Sequence, residues 1–118
     1  MKPAATRRHI IELLQTIASE LLQLQYERTV SIADVPAELL SMWFDDLYHT
    51  ALVEQQFTAN EAAALARFHA LFDEEYHKLP QHPGTIEIWL DDPAWRKIMS
   101  AAEETLEQIE PKTKNLRG

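Results

Sequence analysis

Apolar residues return at steps of four and three through the first part of this chain: Ile10, Leu14, Ile17, Leu21 and Leu24. That spacing is the period of an α-helix with one apolar stripe, and it predicts a single continuous helix over 4–28. Ile11, Leu13, Ala18 and Leu22 widen the stripe. Such a face packs on a core. The same four-three pattern also fits a seam for a second copy, so a homodimer through this stripe is one expectation. Glycine usage agrees with helix: only Gly84 and Gly118 occur in 118 residues. That is too few for folds rich in positive-φ turns, phosphate-cradling loops or dinucleotide fingerprints. Cysteine is absent, which removes disulfides, thiolate metal sites and a thiol nucleophile together.

Start and stop signals divide the rest of the chain. A connector over 29–35 carries the cap residues Ser31 and Asp34, and Pro36 suits a first helical turn. The second predicted helix covers 36–55, with Leu39, Leu40, Trp43, Phe44 and Leu47 on one face. Asp45 and His49 lie away from that face and Asp46 on its border. Thr58-Ala-Asn-Glu61 is a capping box with Phe57 placed as a staple, so a third helix runs over 58–78 until Pro80 stops it. Its inward stripe is Leu65, Phe68, Phe72, Tyr76 and Leu79. Glu75 falls near that stripe, so it is either a snorkelling edge residue, the reading preferred because unpaired buried carboxylates are rare, or a buried carboxylate with a partner. Pro83-Gly84 matches the centre of a type II turn. Ile86, Ile88 and Leu90 alternate like a strand, but a lone strand has no ladder partner, so 85–90 reads as a short helix capped by Thr85. Asp92-Pro93 opens a last helix over 93–110, and Pro111 ends it. The expectation is one all-α domain over 1–118, a bundle of four main helices plus one short one, with mobile ends at 1–5 and 111–118.

Between positions 29 and 110 there are sixteen acids against four bases (Arg67, Lys78, Arg96, Lys97), a local net charge of −12. Such a field repels phosphates, which argues against nucleic acid and anionic lipid as partners and favours a basic protein. The amphipathic start lacks the unbroken apolar core of a signal peptide. No stretch approaches about 18 apolar residues, so no membrane span is expected and the protein reads as cytoplasmic.

The hexapeptide Phe44-Asp-Asp-Leu-Tyr-His49 returns 28 residues later as Phe72-Asp-Glu-Glu-Tyr-His77. Asp46/His49 and Glu74/His77 have the carboxylate-x-x-histidine spacing of di-metal helical bundles. A metal-dependent enzyme is therefore one alternative. Three points weigh against it. The inward stripes of the other helices are apolar. Glu74 and His77 project from the face opposite Phe68 and Phe72. An antiparallel hairpin about Phe57 also offsets the two copies by roughly 10 Å, too far for one site. Within each copy, Asp45/His49 and Asp73/His77 are i, i+4 neighbours, worth a few tenths of a kcal/mol each (~0.2–0.5). No cofactor and no catalytic residue is expected; no nucleophile elbow or glycine-rich loop is present.

Acids cluster at Asp45-Asp46, Asp73-Glu74-Glu75, Asp91-Asp92 and Glu103-Glu104-Glu107. Two of these groups sit toward helix C-termini, where the macrodipole disfavours them. Trp89, bordered by Asp91 and Asp92, reads as an exposed anchor for a basic partner. In size, missing cysteines, acidic surface and these hexapeptides, the whole chain resembles the small acidic helical immunity proteins that neutralise bacterial toxin domains. The resemblance implies stoichiometric binding of a basic toxin domain, a nuclease by its charge. It makes Asp45, Asp46, Tyr48, His49, Asp73, Glu74 and His77 the contact candidates. A homo-oligomeric adaptor using the helix-one stripe is the other class of function that the pattern admits.

Overall fold

The computed structural model describes residues 6–29, 34–80 and 85–109. The cap at Ser31, the turn at Pro83-Gly84 and the two ends fall outside them. The described residues are all-α, with no strand among them. In order they form α1 (Arg7–Ala18), α2 (Glu20–Thr29), α3 (Val35–Ser41), a π-helix (Met42–Leu47), α4 (Thr50–Gln56), α5 (Ala59–Tyr76), α6 (Ile86–Leu90) and α7 (Pro93–Ile109). The centre of the bundle is α7, which packs against both α1 and α5.

Where caps and stops are strong, sequence and structure agree. The Glu61 amide donates to the Thr58 hydroxyl (3.2 Å), and the Thr58 amide donates back to the Glu61 carboxylate (2.9 Å). Asp34 accepts from the Ala37 amide at the start of α3. α6 is helical as expected, but Thr85 makes no side-chain cap bond. Its first amide, on Ile86, donates instead to Glu27 of α2 at 2.8 Å.

The helix expected over 4–28 is broken. At Ser19 the backbone is extended (φ −119, ψ 114), and α2 begins anew at Glu20. A break frees carbonyls that a continuous helix would bond. The buried Gln23 amide takes up two of them, donating to Thr16 O (3.1 Å) and Ile17 O (2.8 Å). Its own oxygen accepts the indole N–H of Trp95 on α7 (3.0 Å). One side chain thus closes the break and ties it to the centre of the bundle. The apolar stripe divides with the helix. Ile10, Leu14 and Ile17 are fully buried in the core of this same chain, whereas Leu21 is 60% exposed. The expected seam for a second copy is therefore not continuous; its first half is used internally.

The helix expected over 36–55 is also interrupted. The Tyr48 amide bonds back five residues to Trp43 O (3.0 Å), which widens the turn into the π-helix. Tyr48 and His49 then run extended before α4 begins. Glu75 takes the less favoured of its two expected placements. It is buried, not an edge residue, and its carboxylate receives Lys78 (3.1 Å) and Lys97 (3.4 Å). Hydrogen bonding from Lys78 in first place holds it below the usual carboxylate range. Two half-exposed ammonium groups reaching inward to one buried carboxylate satisfy the rule that buried charges are paired.

Candidate partner-binding surface

The two breaks shape one feature of the surface. α1 and α2 form one wall of an open groove of about 1240 Å³; α3, the π-helix and α4 form the other. Its floor is apolar, with Leu13, Leu39, Leu47 and Leu52. Among its lining residues Glu12 on one wall and Asp45 and Asp46 on the other are exposed, as are His9 and His49. No lysine or arginine is among the described residues that line it.

The first hexapeptide occupies the π-helix and the break after it. Asp45 and Asp46 are exposed to water; among the described residues Asp45 has only the Ser41 hydroxyl as a side-chain partner (3.3 Å). The expected Asp45/His49 pair does not form. Because the helix ends at Leu47, His49 turns back and donates from Nε2 to the Asp46 carbonyl oxygen (3.1 Å). Tyr48 is half-buried, stacked on Trp43 (centroids 5.0 Å apart) and on His69 (4.4 Å). Burial pushes its phenol above the ordinary value. Trp43 completes this cluster by donating its indole N–H to His69 Nδ1 (3.1 Å), which leaves the ring proton on Nε2. His69 is a residue that sequence reasoning missed. The available signal was the general need of a buried indole N–H for an acceptor, which does not say which acceptor.

The second hexapeptide lies on the last turns of α5. Asp73, Glu74 and His77 are exposed, and the expected i, i+4 pair is present as a loose contact of 3.7 Å between Asp73 and His77. The copies touch through their first residues. Phe44 and Phe72 pack with centroids 5.0 Å apart, and Phe44 also meets Tyr76 (5.4 Å). Antiparallel chains explain this. Phe44 and Phe72 lie at similar distances from the turn at Phe57, whereas His49 and His77 differ by about 12 residues, roughly 18 Å of helix. Among the described residues, no group of three or more histidine and acidic side chains is placed to hold a metal ion.

The third candidate patch is corrected. Trp89 is not an exposed anchor: it is 3% exposed, packed on Trp95 (4.9 Å), with its indole N–H on the Pro80 carbonyl (3.1 Å). In a helix over 86–90, Ile86, Trp89 and Leu90 share the inward face, and Ile88 is the residue left outside. Asp92 is a cap, accepting the Ala94 amide at 2.8 Å; Asp91 is exposed. The ten predicted contact residues therefore do not form one site. Asp45, Asp46 and His49 gather on the groove, Asp73, Glu74 and His77 stand on α5, and Asp91 stands apart.

The groove brings in two residues that the sequence did not single out. Glu12 adds a carboxylate to the opposite wall. Tyr26 lies at the wall of α2, its hydroxyl bonded to the Glu38 carboxylate, which raises the phenol to about 12. No family model matches this chain, and no curated protein or solved structure matches it significantly. No helix among the described residues is long and apolar enough to cross a membrane.

Proposed function

We propose that this chain is an acidic binding module that neutralises a basic protein by one-to-one association, the partner being a toxin domain if the resemblance to immunity proteins holds. The observation that supports this is a division of labour among its carboxylates. Glu20, Glu61 and Glu75 are engaged by Arg96, Arg7 and two lysines, and Asp34 and Asp92 cap helices. Asp45, Asp46, Glu74 and Asp91 are exposed, and no ion pair among the described residues engages them. Unengaged acids on the outer surface cost stability through self-repulsion and offer a field to a cationic partner. They steer encounter, while the half-buried aromatic Tyr48 and the groove floor supply area to be desolvated on docking.

The test is co-expression with the product of the neighbouring reading frame. A large upstream gene ending in a basic, toxin-sized domain, whose toxicity this chain suppresses at one-to-one stoichiometry, supports the reading. Toxicity that persists at equal expression overturns it. With that complex in hand, Asp45→Lys combined with Asp73→Lys slows association by about tenfold at low salt and flattens its salt dependence. An unchanged on-rate removes the steering role.

A further inference from the structure

The groove permits a narrower statement about the partner. We infer that it receives a cationic amphipathic helix, with apolar residues at helical spacing set on the floor and lysine or arginine meeting the rim. This rests on the reading above and specifies the recognised element. At about 1240 Å³ the groove exceeds the ~300–1,000 Å³ of small-molecule sites, so a macromolecular segment suits it better. The floor of Leu13, Leu39, Leu47 and Leu52 calls for an apolar face. Glu12, Asp45 and Asp46, with no lysine or arginine among the described lining residues, call for positive charge beside that face. Nucleic acids and anionic lipid surfaces carry the wrong sign. An extended peptide gains affinity by adding to a sheet edge, and the described residues have no strand. A helix satisfies its own backbone and presents i, i+3, i+4 and i+7 anchors to such a channel.

The probe is a fluorescein-labelled leucine–lysine peptide about four helical turns long, its leucines on one face. It is titrated into the full chain and followed by anisotropy at about 150 mM salt. Two controls accompany it: the same composition reordered so that leucines surround the helix, and a leucine–glutamate peptide with the original spacing. The groove variants are Leu22→Lys/Asp46→Lys, with one position on each wall, and Glu12→Lys on the α1 wall; all three positions are exposed. The off-groove control is Glu103→Lys/Glu107→Lys on the outer face of α7, also exposed. Far-ultraviolet circular dichroism confirms that each variant folds.

Binding of the ordered lysine peptide, weakened about tenfold by the groove double variant and less than about twofold by the α7 variant, supports the inference. Equal binding of the reordered peptide, or equal weakening by the α7 variant, overturns it and leaves the acidic-surface reading standing. Equal binding of the glutamate peptide overturns the charge complementarity. Failure of the ordered peptide to bind overturns the inference, and the co-expression test then decides the broader reading independently. A concentration-dependent dimer that buries the groove would assign it to a second copy and likewise overturn the proposal.

Discussion

Replacing Gln23 with leucine tests the account of the break between α1 and α2. The side chain is 0% exposed and serves three groups: the carbonyls of Thr16 and Ile17 and the indole N–H of Trp95. Thr16 O keeps a second donor, the Ser19 amide (3.2 Å). The substitution therefore strands two buried groups, Ile17 O and Trp95 Nε1–H. Each stranded group costs about 1–3 kcal/mol. Leucine is apolar and of similar size, and returns about 1 kcal/mol through burial. The expected net loss is about 3 kcal/mol, out of the ~5–15 kcal/mol that holds a domain of this kind together. Urea unfolding reads it as a midpoint lower by about 1–2 M at unchanged slope. A double-mutant cycle makes the argument specific. In a Trp95→Phe background the indole donor is gone, and Gln23→Leu costs about 1–3 kcal/mol less. Gln25→Leu, at an exposed position two residues on, changes stability by less than about 0.5 kcal/mol. A loss below about 1 kcal/mol for Gln23→Leu, or additive effects with Trp95→Phe, would refute the reasoning.

Three further outcomes are expected. The Arg7 guanidinium, at 2.8 and 3.0 Å, together with the Thr58 amide and hydroxyl holds the Glu61 carboxyl at about 2 against an ordinary 4.5. Its contribution is present above pH 4.5 and lost as pH falls toward 2. With Arg7 35% exposed, solvent screening leaves about 1–2 kcal/mol, so Glu61→Gln flattens the acid limb of a stability-versus-pH curve. The Tyr26 phenol is raised to about 12, chiefly by its hydrogen bond to Glu38, and its ionisation in an ultraviolet titration falls well above the ordinary 10. Its neutral form contributes stability below pH 10 that is lost through about 12, and Glu38→Gln brings the titration down. His69→Phe keeps a ring against Tyr48 but removes the acceptor of Trp43, and lowers stability by about 1–3 kcal/mol in urea unfolding; a loss under about 0.5 kcal/mol would contradict that bond.

The helices with local signals were legible beforehand. α5 and α7 begin where Thr58-Ala-Asn-Glu61 and Asp92-Pro93 put them, because a cap is a contact between residues two or three apart in sequence. The outward placement of Asp45, Asp46, Asp73 and Glu74 was also legible, since it follows from the apolar face each helix must bury. The breaks were not. Ser19 carries no glycine or proline signal, and what holds its open backbone is Gln23 bonded to Trp95, 72 residues away. The π-helix uses the same residues as an α-helix would, and differs by one step in which carbonyl the Tyr48 amide finds.

By itself, then, the sequence determined an all-α chain, its two strongest helices and the sign of its surface, because caps, apolar periodicity and charge are properties of neighbouring residues. Only the tertiary structure decided that Trp89 goes inside, that Glu75 is buried between Lys78 and Lys97, and that Glu12 on α1 faces Asp45 and Asp46 across a groove. Those outcomes depend on which distant surface each helix meets, and burial and hydrogen-bond satisfaction are settled only when the whole chain packs.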